Sequence, residues 1–365
     1  SNRADTVEKL SERGGIKYLN CRGKTVLPGF VDSHTHFVFG GYREDEFAMR
    51  MAGRSYMDIL EAGGGIASTV TKTRQASYDE LYASGRKRLN AMLSMGVTTV
   101  EVKSGFGLDL ETEVKQLKVM KALNQDHVMD VVSTFLGPHS VPIEYKGRNE
   151  DYMDFVINEV LPQVSKNDLA DFADIFCEKG VFSVEESRYY LQVAKEMGFK
   201  LKIHADEIVS LGGAELSVSL GASSADHLLA ASDKGIEDLA GSHTIATLLP
   251  ATAFSLNEPY ARARTMIDKG CGIALASDFN PGSCPTYSIP LIIGLGALKM
   301  KMTTKEIIAA LTINGACALG RQDEIGSIEV GKKADLIILD RPSIDFLPYH
   351  MGINLVDKVI KNGKL

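Results

Sequence analysis

The chain has 365 residues, 44% hydrophobic and 24% charged, a globular balance that supplies a large buried core and excludes a disordered chain. A net charge of −7 with no basic stripe argues against a nucleic-acid surface, and the longest apolar stretches, such as Ile289 to Leu298, are too short to span a bilayer. No charged start leads into an apolar signal segment, and the five cysteines (Cys21, Cys177, Cys271, Cys284, Cys317) are odd in number without CxxC spacing, so the composition predicts a cytoplasmic protein with free thiols.

From Val26 onward, short β-branched runs alternate with segments of helical period, the pattern of βα units on a parallel sheet. Eight runs are predicted as strands: Leu27–Ser33, Val97–Lys103, Asp130–Phe135, Asp174–Cys177, Leu201–His204, Ser223–His227, Thr244–Leu249 and Gly272–Ser277. Helical patterns lie between them, for example at Glu111–Leu123, Glu150–Val160, Val184–Met197 and Ala261–Lys269. Eight parallel strands with eight crossovers predict an α/β fold, a closed TIM (β/α)8 barrel. The alternative, an open doubly wound sheet, lacks a Gly-rich phosphate turn after its first strand. The Gly63-Gly64-Gly65 run has no GK[ST] after it and predicts a flexible active-site loop rather than a phosphate cradle.

Beyond the eighth strand the chain reads as helices at Ser288–Lys301, Thr304–Leu311 and Gly315–Leu319, and then as short strands at Gly326–Glu329, Ala334–Leu339 and Asp357–Lys361. These last strands have no crossover helices. They predict a small β-sandwich built from both chain ends, residues 1–27 (around Ile16–Thr25) and 326–365, beside a barrel over 28–325.

The ionisable residues fall where a barrel places its active site, at the C-terminal ends of the strands. The first strand runs into Asp32-Ser33-His34-Thr35-His36, and histidines at i and i+2 of an extended segment point to one side. The fifth run ends in His204-Ala205-Asp206-Glu207, the sixth in Asp226-His227 and the eighth in Ser277-Asp278. Of eight histidines four stand at such ends, and His139 follows the third strand. One histidine on an apolar run is ordinarily a satisfied core residue; so many imidazoles and carboxylates in one barrel mouth imply a shared partner. Three neutral imidazoles and one carboxylate suit one divalent ion, Zn2+ or Fe2+, with Fe3+ also open. Such an ion lowers the pKa of its water to about 7 and so makes hydroxide at neutral pH. Glu207, three residues past His204, reads as the proton acceptor and donor beside that water.

These residues resemble the amidohydrolase superfamily: HxH after strand one, His after strands five and six, Asp after strand eight. The tail Gly326-Ser327-Ile328-Glu329-Val330-Gly331-Lys332-Lys333-Ala334-Asp335-Leu336 is similar to that superfamily's return to its small sandwich. The absence of a strand-four lysine in Ala173-Asp174-Ile175-Phe176-Cys177 implies one metal rather than two.

Within the superfamily, the segments from about Lys24 to the C-terminus resemble the imidazolonepropionase family most. They include Pro28 to His36, Glu61 to Ile66, Glu101 to Leu108, Phe176-Cys177-Glu178 and Ser277 to Pro281. The resemblance implies hydrolysis of the cyclic amide of 4-imidazolone-5-propanoate to N-formimidoyl-L-glutamate, in histidine degradation, by a homodimer. It implies His34, His36, His204 and Asp278 as metal ligands. It implies Glu207, His227 and Asp278 as the groups that move protons and polarise the carbonyl. Arg43 would clamp the propionate, with Phe106, His139, Glu207, Asn280, Gly282 and Ser283 completing the substrate contacts.

Two departures stand out. Phe106 occupies the place of the family's usual tyrosine in SGYG, and the chain before the barrel is shorter than usual, so an incomplete small domain is expected. Two other readings stay open from sequence: an aminohydrolase of guanine, cytosine or a similar base, against which Arg43 speaks, and a silent scaffold, against which the complete ligand set speaks.

Overall fold

The computed structural model describes residues 18–54, 58 and 62–365, so the first 17 residues and Glu61, both part of the sequence expectations, lie outside the described residues. Eight parallel strand positions form the barrel: β2 (Phe30–Asp32), β3 (Val97–Lys103), β4 (Asp130–Phe135), a broken fourth position of β5 (Phe172–Ala173) and β6 (Phe176–Cys177), β7 (Lys200–Ala205), β8 (Ser224–His227), β9 (Ile245–Leu248) and β10 (Ile273–Leu275). Hydrogen bonding runs without interruption from β2 to β10. The ring closes just past the strand ends, where Thr35 bridges Phe279 in parallel, Asp278 N donates to His34 O and His36 N donates to Phe279 O, both at 2.9 Å.

Helix starts follow their caps. Ser77, Ser183 and Thr303 each accept from the backbone N–H three residues on, while Glu80, Glu186 and Glu306 reach back to the cap, so helices Tyr78–Ser94, Val184–Glu196 and Thr304–Ala310 begin where these pairs stand. Among the described residues no helix is long and apolar enough to cross a membrane, and the five cysteines are unpaired.

The barrel interior is layered. Val31, Val132 and Phe172 pack with Ala316, Leu319 and Ile325 as an apolar plug at the N-terminal end. Above Phe172 the Lys202 ammonium sits 5.6 Å from the ring centroid, the start of a fully buried polar layer of Glu101, Lys103, Thr134, Lys202 and Asp226. The histidines lie above that.

The structure departs from the sequence reading at three places. The predicted first strand splits at Gly29: β1 (Thr25–Pro28) pairs antiparallel with β11 (Leu336–Leu339), while Phe30–Asp32 enters the barrel. A side chain at Gly29 would run into Thr98, so glycine is what lets the chain pass from one sheet to the other. The fourth strand is interrupted at Asp174-Ile175, where Asp174 turns inward and its Oδ1 accepts from Ile175 N at 2.7 Å and His204 N at 3.2 Å. Gly326–Glu329 is not a strand; Ile328 is 58% exposed and finds no neighbouring strand to pair with.

The small unit from the chain ends is a three-stranded antiparallel sheet, β1-β11-β12, with β12 at Val356–Ile360. Asp130, at the start of β4, ties it to the barrel: its Oδ2 lies 2.9 Å from Lys361 Nζ and 3.0 Å from Lys333 Nζ. Burial pushes the Asp130 carboxyl up, but the two ammonium groups outweigh it and hold it below its ordinary 3.8. A depressed carboxyl contributes stability above its unfolded value and loses it as pH falls through the folded one. Asp130→Asn is therefore expected to lower stability by about 1 kcal/mol near neutrality, in denaturant unfolding, with the deficit shrinking as pH is taken below 3.8. A deficit independent of pH would contradict the charge account.

Candidate metal centre

Strand pleat and strand ends bring the candidate ligands together. His34 and His36 leave β2 on an extended segment, two positions apart with Thr35 between them, and project into the barrel mouth from the same side. His204 comes from β7, His227 ends β8, and Asp278 follows β10. His227 and Asp278 have φ of 79° and 53°, left-handed values uncommon outside glycine, so the backbone turns at each strand end to aim the side chain inward. All five side chains are buried.

Their donor atoms fall into two overlapping triads that share His34. His34 Nε2 lies 3.3 Å from His36 Nε2, and Asp278 Oδ1 lies 3.5 Å from each of them. One ligand atom from each of His34, His36 and His204 falls within 4.8 Å of the others, and the same holds for His34, His227 and Asp278. Ligands bonded to zinc at about 2.0–2.1 Å in a tetrahedron stand about 3.3 Å apart, so the closest spacings fit a shared cation. The donor chemistry agrees. His204 Nε2 is buried with no hydrogen-bond partner among the described residues, and a ligand atom left that way calls for a cation.

Charge in the site favours the ligand form of each histidine. Burial first, then neighbouring positive charges, hold His34, His36 and His204 far below the ordinary imidazole range, so their lone pairs are free at neutral pH. Burial likewise lowers His139 and His227 to about 4. Asp278 is pushed up to about 7 by burial, against a 2.7 Å hydrogen bond from Thr252 Oγ1. Glu207 is pushed up to about 8 by burial and the nearby charges of Asp278 and Glu178.

A layer of supporting carboxylates fixes the rings. His34 Nδ1 donates to Asp226 Oδ2 at 2.6 Å, which leaves its Nε2 as the bare ligand atom. His204 Nδ1 lies 3.0 Å from Asp174 Oδ2, close but off the line of a hydrogen bond. The sequence reading placed Asp174 and Asp226 at their strand ends but gave no role to them or to Lys103 and Lys202 beneath them. The signal for them is a charged residue in the apolar stretch that ends a strand.

Above the donors opens a cavity of about 540 Å3 lined by every proposed substrate contact: Arg43, Phe106, His139, Glu207, Asn280, Gly282 and Ser283, together with His36, His204, His227 and Asp278. His34 lies beneath it. The sequence reading missed Glu46, Arg50 and Phe176, which also line it. Arg43 donates to Glu46 Oε2 from Nε at 2.9 Å and Nη2 at 2.7 Å, and its Nη1 passes over Gly282, where any side chain would obstruct it. The side chain of Asn280 is turned to its own loop: its Oδ1 accepts from Gly282 N at 2.9 Å and Ser283 N at 2.8 Å, and its Nδ2 donates to Asp278 O at 2.7 Å. Gly65 likewise lines the cavity and donates to Glu46 Oε2 at 3.1 Å, ahead of helix Ile66–Gln75.

Residues 25–365 match the Amidohydrolase family. The chain is 58% identical to an imidazolonepropionase of Clostridium tetani, covering 99% of this chain and 86% of that one. It is 61% identical to an imidazolonepropionase of Parabacteroides distasonis, covering 99% and 87%. Among solved structures, a 5-methylcytosine deaminase from Klebsiella pneumoniae has the same fold at a TM-score of 0.72 and 16% identity, covering 96% of this chain and 90% of that one.

Because the histidines are held neutral while Asp278 carries a proton up to about pH 7, metal uptake must displace that proton. Zinc affinity of the metal-free protein is expected to weaken about tenfold per pH unit below that value and to level off above it. Competition against a chromophoric chelator across this range measures it; an affinity unchanged by pH would contradict the assignment of Asp278 as a ligand.

Proposed function

The chain belongs to the amidohydrolase family, and on that premise we infer its reaction: it hydrolyses the ring amide of 4-imidazolone-5-propanoate to N-formimidoyl-L-glutamate. The observation that carries the reading is a single cavity with neutral imidazoles and Asp278 at its floor and the Arg43 guanidinium on its wall. A substrate with an amide carbonyl at one end and a carboxylate at the other fits both. We read residues 28–325 as the barrel that carries this chemistry, and residues 326–365, with the described residues 18–27, as the smaller unit.

A divalent cation held by His34, His36, His204 and Asp278, zinc or ferrous iron by the donor set, supplies Lewis-acid activation of water and carbonyl. Glu207 accepts a proton from the attacking water. Burial raises its carboxyl and so makes it a stronger base than an exposed glutamate, and it hands the proton on to the ring nitrogen as the C–N bond breaks. His227, neutral and 3.5 Å from Glu207 Oε1 through its Nδ1, donates to the carbonyl oxygen as charge develops there. Arg43, anchored on one side by Glu46, holds the propionate through its remaining donors. Phe106 packs 5.7 Å from the His36 ring and 5.4 Å from the His139 ring, an apolar wall for the imidazolone.

Glu207→Gln is expected to lower kcat by about 10²- to 10⁴-fold with metal content unchanged. Steady-state kinetics with metal analysis test it, and a kcat near that of the parent would contradict the proton-transfer role. Arg43→Gln is expected to raise KM for imidazolonepropionate by about tenfold or more while kcat changes little. An unchanged KM would contradict a carboxylate-bearing substrate.

A further inference from the structure

Beneath the ligand histidines lies a group of fully buried ionisable side chains that the reaction above does not use: Glu101, Lys103, Asp174, Lys202 and Asp226. Lys103 ends β3. Its Nζ lies 2.7 Å from Asp174 Oδ2, 2.8 Å from Glu101 Oε1 and 3.5 Å from Asp226 Oδ2. The two aspartate oxygens are the same atoms that face the ligand histidines: Asp226 Oδ2 accepts from His34 Nδ1, and Asp174 Oδ2 lies beside His204 Nδ1. One ammonium thus touches the supports of two imidazoles that come from different strands.

We propose that Lys103 is a positioning residue of the metal centre, its ammonium yoking Asp174 and Asp226 so that His204 and His34 present their Nε2 atoms to one point. Without it, two buried carboxylates face each other across the barrel with no cation between them. Such a pair relaxes by moving apart, and that movement releases a ring from its anchor. Lys202 does not replace it: its Nζ is 3.9 Å from Asp226 Oδ2 and donates instead to Ser33 O at 3.0 Å. Supports of this kind alter metal affinity by about 10- to 100-fold when removed. A purely structural lysine would alter stability and leave the ligand geometry of the folded protein as it was.

The inference rests on the metal-site reading, and the test separates the two. Metal-free parent protein, Lys103→Met and the charge-balanced pair Lys103→Met with Asp174→Asn are titrated with Co2+, following the visible d–d absorption, while circular dichroism and thermal unfolding report the fold. The parent is expected to take up one equivalent. Folded Lys103→Met is expected to bind about 10- to 100-fold more weakly, with an altered spectrum; should it not fold, the double variant carries the same expectation. A folded variant with parental Co2+ affinity and spectrum overturns the inference alone. Failure of both variants to fold also overturns it, by making Lys103 a folding residue. A parent protein that takes up no Co2+ overturns the metal-site reading and the inference together.

Discussion

Two backbone hydrogen bonds, from Asp278 N to His34 O and from His36 N to Phe279 O, join the last barrel strand to the first at 2.9 Å each. They close the barrel between the residues that carry three of the proposed ligands. Ser277 N, donating to Asp32 Oδ1 at 2.9 Å, adds a third tie on the same seam. Ligand spacing is therefore set by the closure of the sheet rather than by loops, and a site built on strands is held more rigidly than one built on connections. A shift of the seam by one residue would turn His34 and His36 away from the mouth, because pleat alternation sends neighbouring side chains to opposite faces.

The ligand histidines stand between two regions of opposite character. Above them the cavity meets solvent; below them a buried layer carries both signs of charge. Burial and the Lys103 ammonium below keep the imidazoles neutral, which leaves them able to act as ligands rather than cations, while Asp226 anchors the His34 ring from beneath and Asp174 lies beside that of His204. Buried lone pairs without a partner destabilise a protein by about 1–3 kcal/mol each. A cation that takes up those lone pairs would couple its own binding to the stability of the fold.

Much of this was legible in the sequence because it is local. The strands Val97–Lys103 and Asp130–Phe135 begin and end where their β-branched runs do, and the His-x-His spacing alone sets two ligands on one side of a strand. What escaped is long-range. The split at Gly29 arises because Val26 pairs with Ile338, more than three hundred residues along the chain, and no local pattern encodes that partner. Gly326–Glu329 has strand-like composition, yet Ile328 and Val330 stay exposed for want of a neighbouring strand. Glu101 and Lys103, alternating with Val100 and Val102, have the pattern of a solvated strand face; in a closed barrel that face is the interior. Asn280 illustrates the limit of reading a site by position, since its amide is spent on the loop that presents Ser283 and Gly282.

The central claim is that His34, His36, His204 and Asp278 share one cation. X-ray absorption at the zinc edge of reconstituted protein measures it most directly. The account predicts one ion per chain with three imidazole nitrogens at about 2.0–2.1 Å and carboxylate or water oxygen completing the shell. A shell containing sulfur, a shell without imidazole, or no stoichiometric ion at all would contradict it.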